Sequence, residues 1–248
     1  MKSLRLKILC GVIFIILAIS VSGKNGVQLF YLPSGKPVSY NTYLEGTLTR
    51  KAETRDIHLQ FTRNWQLNRT KEDKYVLQEW VQKYQGSDFE LAELGLPEPE
   101  IRVEKIMDRL GRIDKVNRYP KGHRYYLGLI VFPDHPVSAG NSWKYEDRLE
   151  FDFFGKSAPA NCSVIYQLEK ILVYRKYYRC AKILINGSCQ SIPGSELKLD
   201  YRFNGKVFFD MDTGREIDYQ LNYSWFKSDP SQNLQESARL ELYSILEK

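Results

Sequence analysis

The sequence has few of the residues that build most catalytic and metal centres: three histidines, four cysteines and three methionines among 248 residues. His58, His123 and His135 stand apart, and none forms a metal-ligand spacing with another histidine or a cysteine. There is no glycine-rich phosphate loop and no dinucleotide-binding fingerprint. No second long apolar run follows the one near the start, and that one covers only residues 8–19, short of the roughly 20 residues of a spanning helix. Basic residues alternate with acidic ones, and the one dense run, Tyr174 to Arg179, reads as a hairpin tip. These absences argue against a cofactor, a bound metal and nucleic acid as a partner. A sustained 3.6-residue apolar period is also missing, which excludes a helical bundle.

The run near the start has a different meaning. Lys2, Arg5 and Lys7 precede it, and Val21, Ser22 and Gly23 supply small residues at its end, the pattern of a cleaved secretory signal. Cys10 lies early in the run instead of behind small residues at its end, which excludes lipoprotein processing. Cleavage near Gly23 removes three positive charges and no negative ones, so the formal +6 falls to about +3. Expectations are an exported chain, periplasmic or secreted, that meets the membrane only through the signal before cleavage.

Alternation of period two dominates the rest. Ile57, Leu59, Phe61, Trp65 and Leu67 alternate with Asp56, His58, Gln60, Thr62, Asn64 and Gln66. Ile217, Tyr219, Leu221, Tyr223 and Trp225 alternate in the same way, as do Leu149, Phe151 and Phe153, and Leu199, Tyr201 and Phe203. Each is a strand with one dry and one wet face, so the chain is all-β and antiparallel. Turn signals stand at Gly35-Lys36-Pro37, Asn186-Gly187, Asn204-Gly205 and Thr213-Gly214. Residues 231–248 read as a last strand at least as well as a helix. The expected architecture is a set of meanders forming one large curved sheet or two packed sheets.

Pro33, Pro37, Val38, Ser39 and Asn41 match Pro133, Pro136, Val137, Ser138 and Asn141, and residues 107–114 match 211–218 in the same order. The spacing suggests an internal duplication, with residues 24–131 and 132–248 as two similar β-meanders. Within the second copy Pro136 fixes φ, Gly140 turns the chain at positive φ and Trp143 enters a strand as a buried anchor. Pro133, Asp212 and Gly214 read likewise as turn residues, the acid bonding its own backbone and the glycine supplying positive φ.

A Phe-Pro-x-x-Pro-Val-x-x-Gly-x-Ser-Trp segment, present at residues 132–143, followed by strands and an Asp-x-x-Gly-Arg turn, resembles a broad group of exported bacterial β-rich proteins of unknown function. In that group the segment opens the second half of the molecule. The resemblance implies export and a β-rich fold, and it brings no catalytic residues to carry over.

Three cysteines remain after cleavage, and export permits a disulfide. A hairpin closing at Arg175-Lys176 would oppose positions whose numbers sum to about 351. Cys162 and Cys189 satisfy that sum, leaving Cys180 as a buried free thiol.

Other motifs are better read as structure. Asp212-Thr213-Gly214 looks like half of an aspartic-protease dyad, but the matched turn at Asp108 holds no second copy and Arg215 follows where a small residue belongs. Asp210, Asp212 and Glu216 faintly resemble a calcium loop, and alternation would put them on one solvated side. Ser195 and Lys198 have Ser-x-x-Lys spacing but precede a strand. No acid, base and nucleophile converge, so an enzyme is not expected. Seventeen tyrosines and four tryptophans on strand faces fit either a filled core or an apolar groove. Leu91, Leu94, Leu96 and Pro97 form an apolar insert able to act as a lid or a plug. The expected function is therefore a non-catalytic envelope or secreted module with a lipophilic ligand, or an interaction protein with a filled core and an envelope protein as partner.

Overall fold

The computed structural model describes residues 26–70, 72 and 74–247; the signal expected over residues 1–23 lies outside them. The described chain forms eleven strands: β1 (Val38–Arg50), β2 (Glu53–Arg69), β3 (Tyr75–Gly86), β4 (Arg102–Met107), β5 (Ile113–Val116), β6 (Ser142–Phe153), β7 (Lys156–Tyr174), β8 (Tyr178–Ser191), β9 (Lys198–Asp210), β10 (Arg215–Asp229) and β11 (Leu234–Leu246). All lie in one antiparallel sheet, ordered β5-β4-β3-β2-β1-β11-β10-β9-β8-β7-β6. The architecture is thus one sheet and not two packed ones, and residues 234–246 form its central strand rather than a helix.

The sheet rolls without closing. Laid flat, eleven strands would span about 48 Å at ~4.8 Å per step. Yet the short 3₁₀ turn Arg124–Tyr126 touches both edge strands. From it the Tyr126 hydroxyl accepts from Val116 N on β5, and Arg124 donates to Asp152 O on β6. The preceding His123 bridges Glu150 of β6. A three-residue turn reaches both edges only if the sheet curves around it.

The matched stretches occupy corresponding places. One Pro-rich loop leads into β1 and the other into β6, while the turns at 108–111 and 211–214 close β4–β5 and β9–β10. In the sheet, β1–β5 and β6–β10 therefore run in the same order, with β11 between them. Loops and turns are also exchanged: Phe132 N donates to Leu110 O (2.8 Å), and Leu32 N to Gly214 O (3.2 Å). Gly111 and Gly214 have φ of 88° and 60°, and a Cβ at either would lie 2.3 Å from the opposite loop's backbone. Glycine is required at both for conformation and for space.

Two Asn-Gly steps expected as turns lie inside strands instead. Asn186-Gly187 is within β8 and Asn204-Gly205 within β9. A Cβ on Gly187 would lie 2.1 Å from the Phe203 ring, and one on Gly205 would lie 2.0 Å from Gln220 O. Close approach, not reversal, explains these glycines.

Cys162 and Cys189 form a disulfide, directly opposed on β7 and β8, and Cys180 is a buried free thiol. The hairpin differs from the expected one in two ways that cancel. Its turn holds three residues, since Tyr174 faces Tyr178, and a bulge between Leu168 and Lys170 restores the register before Cys162.

Candidate functional site

One face of the sheet is covered by the chain itself. The segment around the 3₁₀ turn Leu91–Leu94 and the stretch Tyr126–Val131 lie across it, with Leu91, Leu94, Leu96, Ile130 and Phe132 buried in the main core. Between this roof and the sheet remains an apolar cavity of about 70 Å³.

The floor follows from the strand register. Antiparallel partners point to the same side. One row crosses the sheet through Leu242, Leu221, Gly205, Ile185 and Tyr166, and its neighbour through Leu240, Tyr223, Phe203, Gly187 and Val164. Most of these side chains line the cavity, as do Val207 and Tyr201 on β9. Gly205 and Gly187 interrupt both rows. Their missing side chains make room for close neighbours: the Phe203 ring lies where a Gly187 Cβ would stand, and Gln220 O where a Gly205 Cβ would.

One end of the cavity is charged. Arg63 of β2, with Glu216 and Tyr219 of β10, lines it. Arg63 Nη2 donates to Glu79 (2.7 Å) and Nη1 to the Tyr219 hydroxyl (3.0 Å), with Glu216 at 3.6 Å. Lys105 of β4 holds the other Glu79 oxygen at 2.5 Å. All four charged groups are buried. Glu79 reaches its cations by register: Trp65 of β2 and Val103 of β4 face it directly, so Arg63 and Lys105 are diagonal neighbours. Burial opposes ionisation of Glu79, but Lys105 and Arg63 outweigh it and lower its pKa to about 2. Glu216 goes the other way. Burial raises its pKa, the Glu79 charge adds to the rise, and Arg63 only partly offsets it. Arg63 Nε–H is buried without a hydrogen-bond partner among the described residues.

A second buried cluster fastens the roof. Glu93 of the insert pairs with Lys227 of β10 and with Arg124, and its carbonyl accepts from the Tyr201 hydroxyl (3.2 Å). Lys227 also meets Glu236 of β11 at 3.2 Å, and Glu236 accepts from Trp225 Nε1. The wider cleft beside this cluster, about 490 Å³, is open, and two acids in its wall are already paired, Glu236 with Arg50 and Glu93 with Lys227.

Of the residues singled out from sequence, Leu94 and Leu96 line the cavity, while the turn and anchor residues belong to the loop frame and do not line it. Pro133 O accepts from Gln28 Nε2 (3.0 Å). Pro136 precedes Val137, which bridges Val27 in both directions. Gly140 has φ 88° and donates to Leu168 O, and Trp143 stacks on Tyr166 with its Nε1 donating to Val131 O. At the second turn the capping acid is Asp210, which accepts from Asp212 N and Thr213 Oγ1, while Asp212 pairs outward with Arg179. Asp210 and Glu216 are buried, so the expected solvated acidic face does not form. Among the described residues no group of three or more His, Cys, Asp or Glu is placed to hold a metal ion, and no helix is long and apolar enough to cross a membrane. Ser195 offers its carbonyl to Lys198 Nζ in an exposed turn.

Sequence reasoning missed Arg63, Glu79, Lys105 and Glu216. The signal was present in the alternation itself. Arg63 stands in phase with Phe61 and Trp65, Glu79 with Leu77 and Val81, and Lys105 with Val103 and Met107. Charges at inward positions of neighbouring strands mark a buried network. Glu216 escapes that test because a register shift follows it.

No family model, curated protein or solved structure matches the chain.

Proposed function

We propose that this chain is a non-catalytic binding module of the cell envelope, exported by its leader, and that it takes a lipophilic ligand in the roofed cavity. The observation that carries this reading is the cavity's construction. Apolar side chains from β6 to β11 form its floor, and residues of the 91–96 and 126–131 segments cover it. A disulfide beside the floor fits an oxidising compartment. Titration with a neutral lipophilic dye tests the reading. Saturable fluorescence enhancement at one site per chain is expected, and the absence of enhancement would count against it.

A specific observation favours a second reading. The β7–β8 hairpin exposes two hydrophobic side chains at its tip, Val173 (68%) and Tyr177 (80%), flanking Arg175 and Lys176. A protein of the envelope would be the partner for such a tip. If the tip is the working surface, Val173→Ser with Tyr177→Ser abolishes partner capture and leaves dye binding unchanged.

A further inference from the structure

We propose that the cavity selects a single-chain carboxylate, a long-chain fatty acid, with its head at Arg63 and its tail along the β9–β10 floor. This inference rests on the apolar-ligand reading above and adds the chemistry of the head and the number of tails.

The head follows from the partners that Arg63 lacks. A guanidinium has five donors in a fixed fork suited to a carboxylate. Here Nη2 is taken by Glu79 and Nη1 by Tyr219, Glu216 stands off at 3.6 Å, and Nε–H is unpartnered. Leaving a buried charged donor unpaired costs stability, and Arg63 lines the cavity. Glu79 and Glu216 already stand beside this guanidinium, so a head with one negative charge is accepted more readily than a phosphate that carries up to two.

The tail follows from the space. The cavity, about 70 Å³, lies between the roof and apolar side chains of β9 and β10, a lining that suits a flexible hydrocarbon chain. Floor residues Val207, Leu221 and Leu242 carry no polar atom beyond the backbone, so a chain laid over them leaves nothing unsatisfied.

The test is displacement of the neutral dye 1-N-phenylnaphthylamine from the purified mature chain by hexadecanoate, hexadecanol and hexadecyl phosphate. Hexadecanoate should displace the dye at roughly tenfold lower concentration than the other two. Arg63→Gln should erase that preference. If Arg63→Gln fails to fold, the comparison of the three ligands on the unaltered chain still decides. Equal displacement by acid and alcohol, or tighter binding of the phosphate, would overturn the carboxylate inference and leave the apolar cavity standing. Absence of any dye binding would overturn both.

Discussion

Arg63 and Glu79 sit on neighbouring strands, 2.7 Å apart and both closed off from solvent, and Glu79 is shared by two buried cations, Arg63 and Lys105. Removing half of such a pair strands a charge, which costs about 3–5 kcal/mol. Glu79→Gln strands charge on both Arg63 and Lys105. Urea unfolding should show a loss in that range at pH 7, and a loss under about 1 kcal/mol would mean the pair is not formed as described.

The two buried glutamates should give opposite pH dependences. The folded pKa of Glu79 is lowered from 4.5 to about 2, so its contribution is complete above 4.5 and is lost as pH falls toward 2. The folded pKa of Glu216 is raised, so its neutral form is favoured in the fold and stability is lost as pH rises above 4.5. Stability curves against pH should therefore show Glu79→Gln flattening the acid limb and Glu216→Gln flattening the decline above 4.5. The same limb changing in both variants would contradict the assignment.

The disulfide closes a segment with a sequence separation of 27, for which the chain-entropy account gives about 3–4 kcal/mol. Cys162→Ala with Cys189→Ala should lose about that much in denaturant titration. Cys180 behaves differently, because burial pushes its thiol up to about 12, helped by the Asp210 charge. Iodoacetamide at pH 8 should label no cysteine in the folded chain and one after unfolding. Labelling in the native state would place Cys180 in contact with solvent.

Val207 lies in the cavity floor between Gly205 and Phe209. Enlarging it in a full core strains the fold, but here the added ring enters empty space. Val207→Phe should keep stability within about 1.5 kcal/mol and lower dye affinity at least roughly tenfold. Unchanged dye binding would place the ligand elsewhere.

Glu93 tests the roof. It pairs the insert with both Lys227 and Arg124. Glu93→Gln should raise amide exchange across residues 89–96 while leaving β8 and β9 protected, and uniform exchange would mean that the roof and sheet open together.

Much of the fold was legible because a half-buried strand writes its own pattern. Leu59, Phe61 and Trp65, and later Leu221, Tyr223 and Trp225, announce their dry faces without help from any partner. Strand order was not legible, because β1 finds β11 across nearly the whole chain and no local signal encodes that pairing. Gly187 and Gly205 misled for a physical reason: an asparagine before a glycine suits a reversal, yet the same glycine serves where Phe203 or a neighbouring backbone presses close. The Cys162–Cys189 pair came from counting register, and it survived a longer turn only because the bulge at Glu169 compensates. The charged end of the cavity was readable in part. Arg63 breaks the apolar phase of β2, but its meeting with Glu216 depends on the roll of the sheet, which no single strand records.

The most direct measurement is native followed by denaturing mass spectrometry of the mature chain purified without detergent. The account expects one lipid-sized mass per chain that leaves on denaturation, together with a 2 Da deficit from the Cys162–Cys189 bond. A ligand-free native mass that also takes up no added hexadecanoate would contradict the central claim and return the cavity to the status of a packing defect in a filled core.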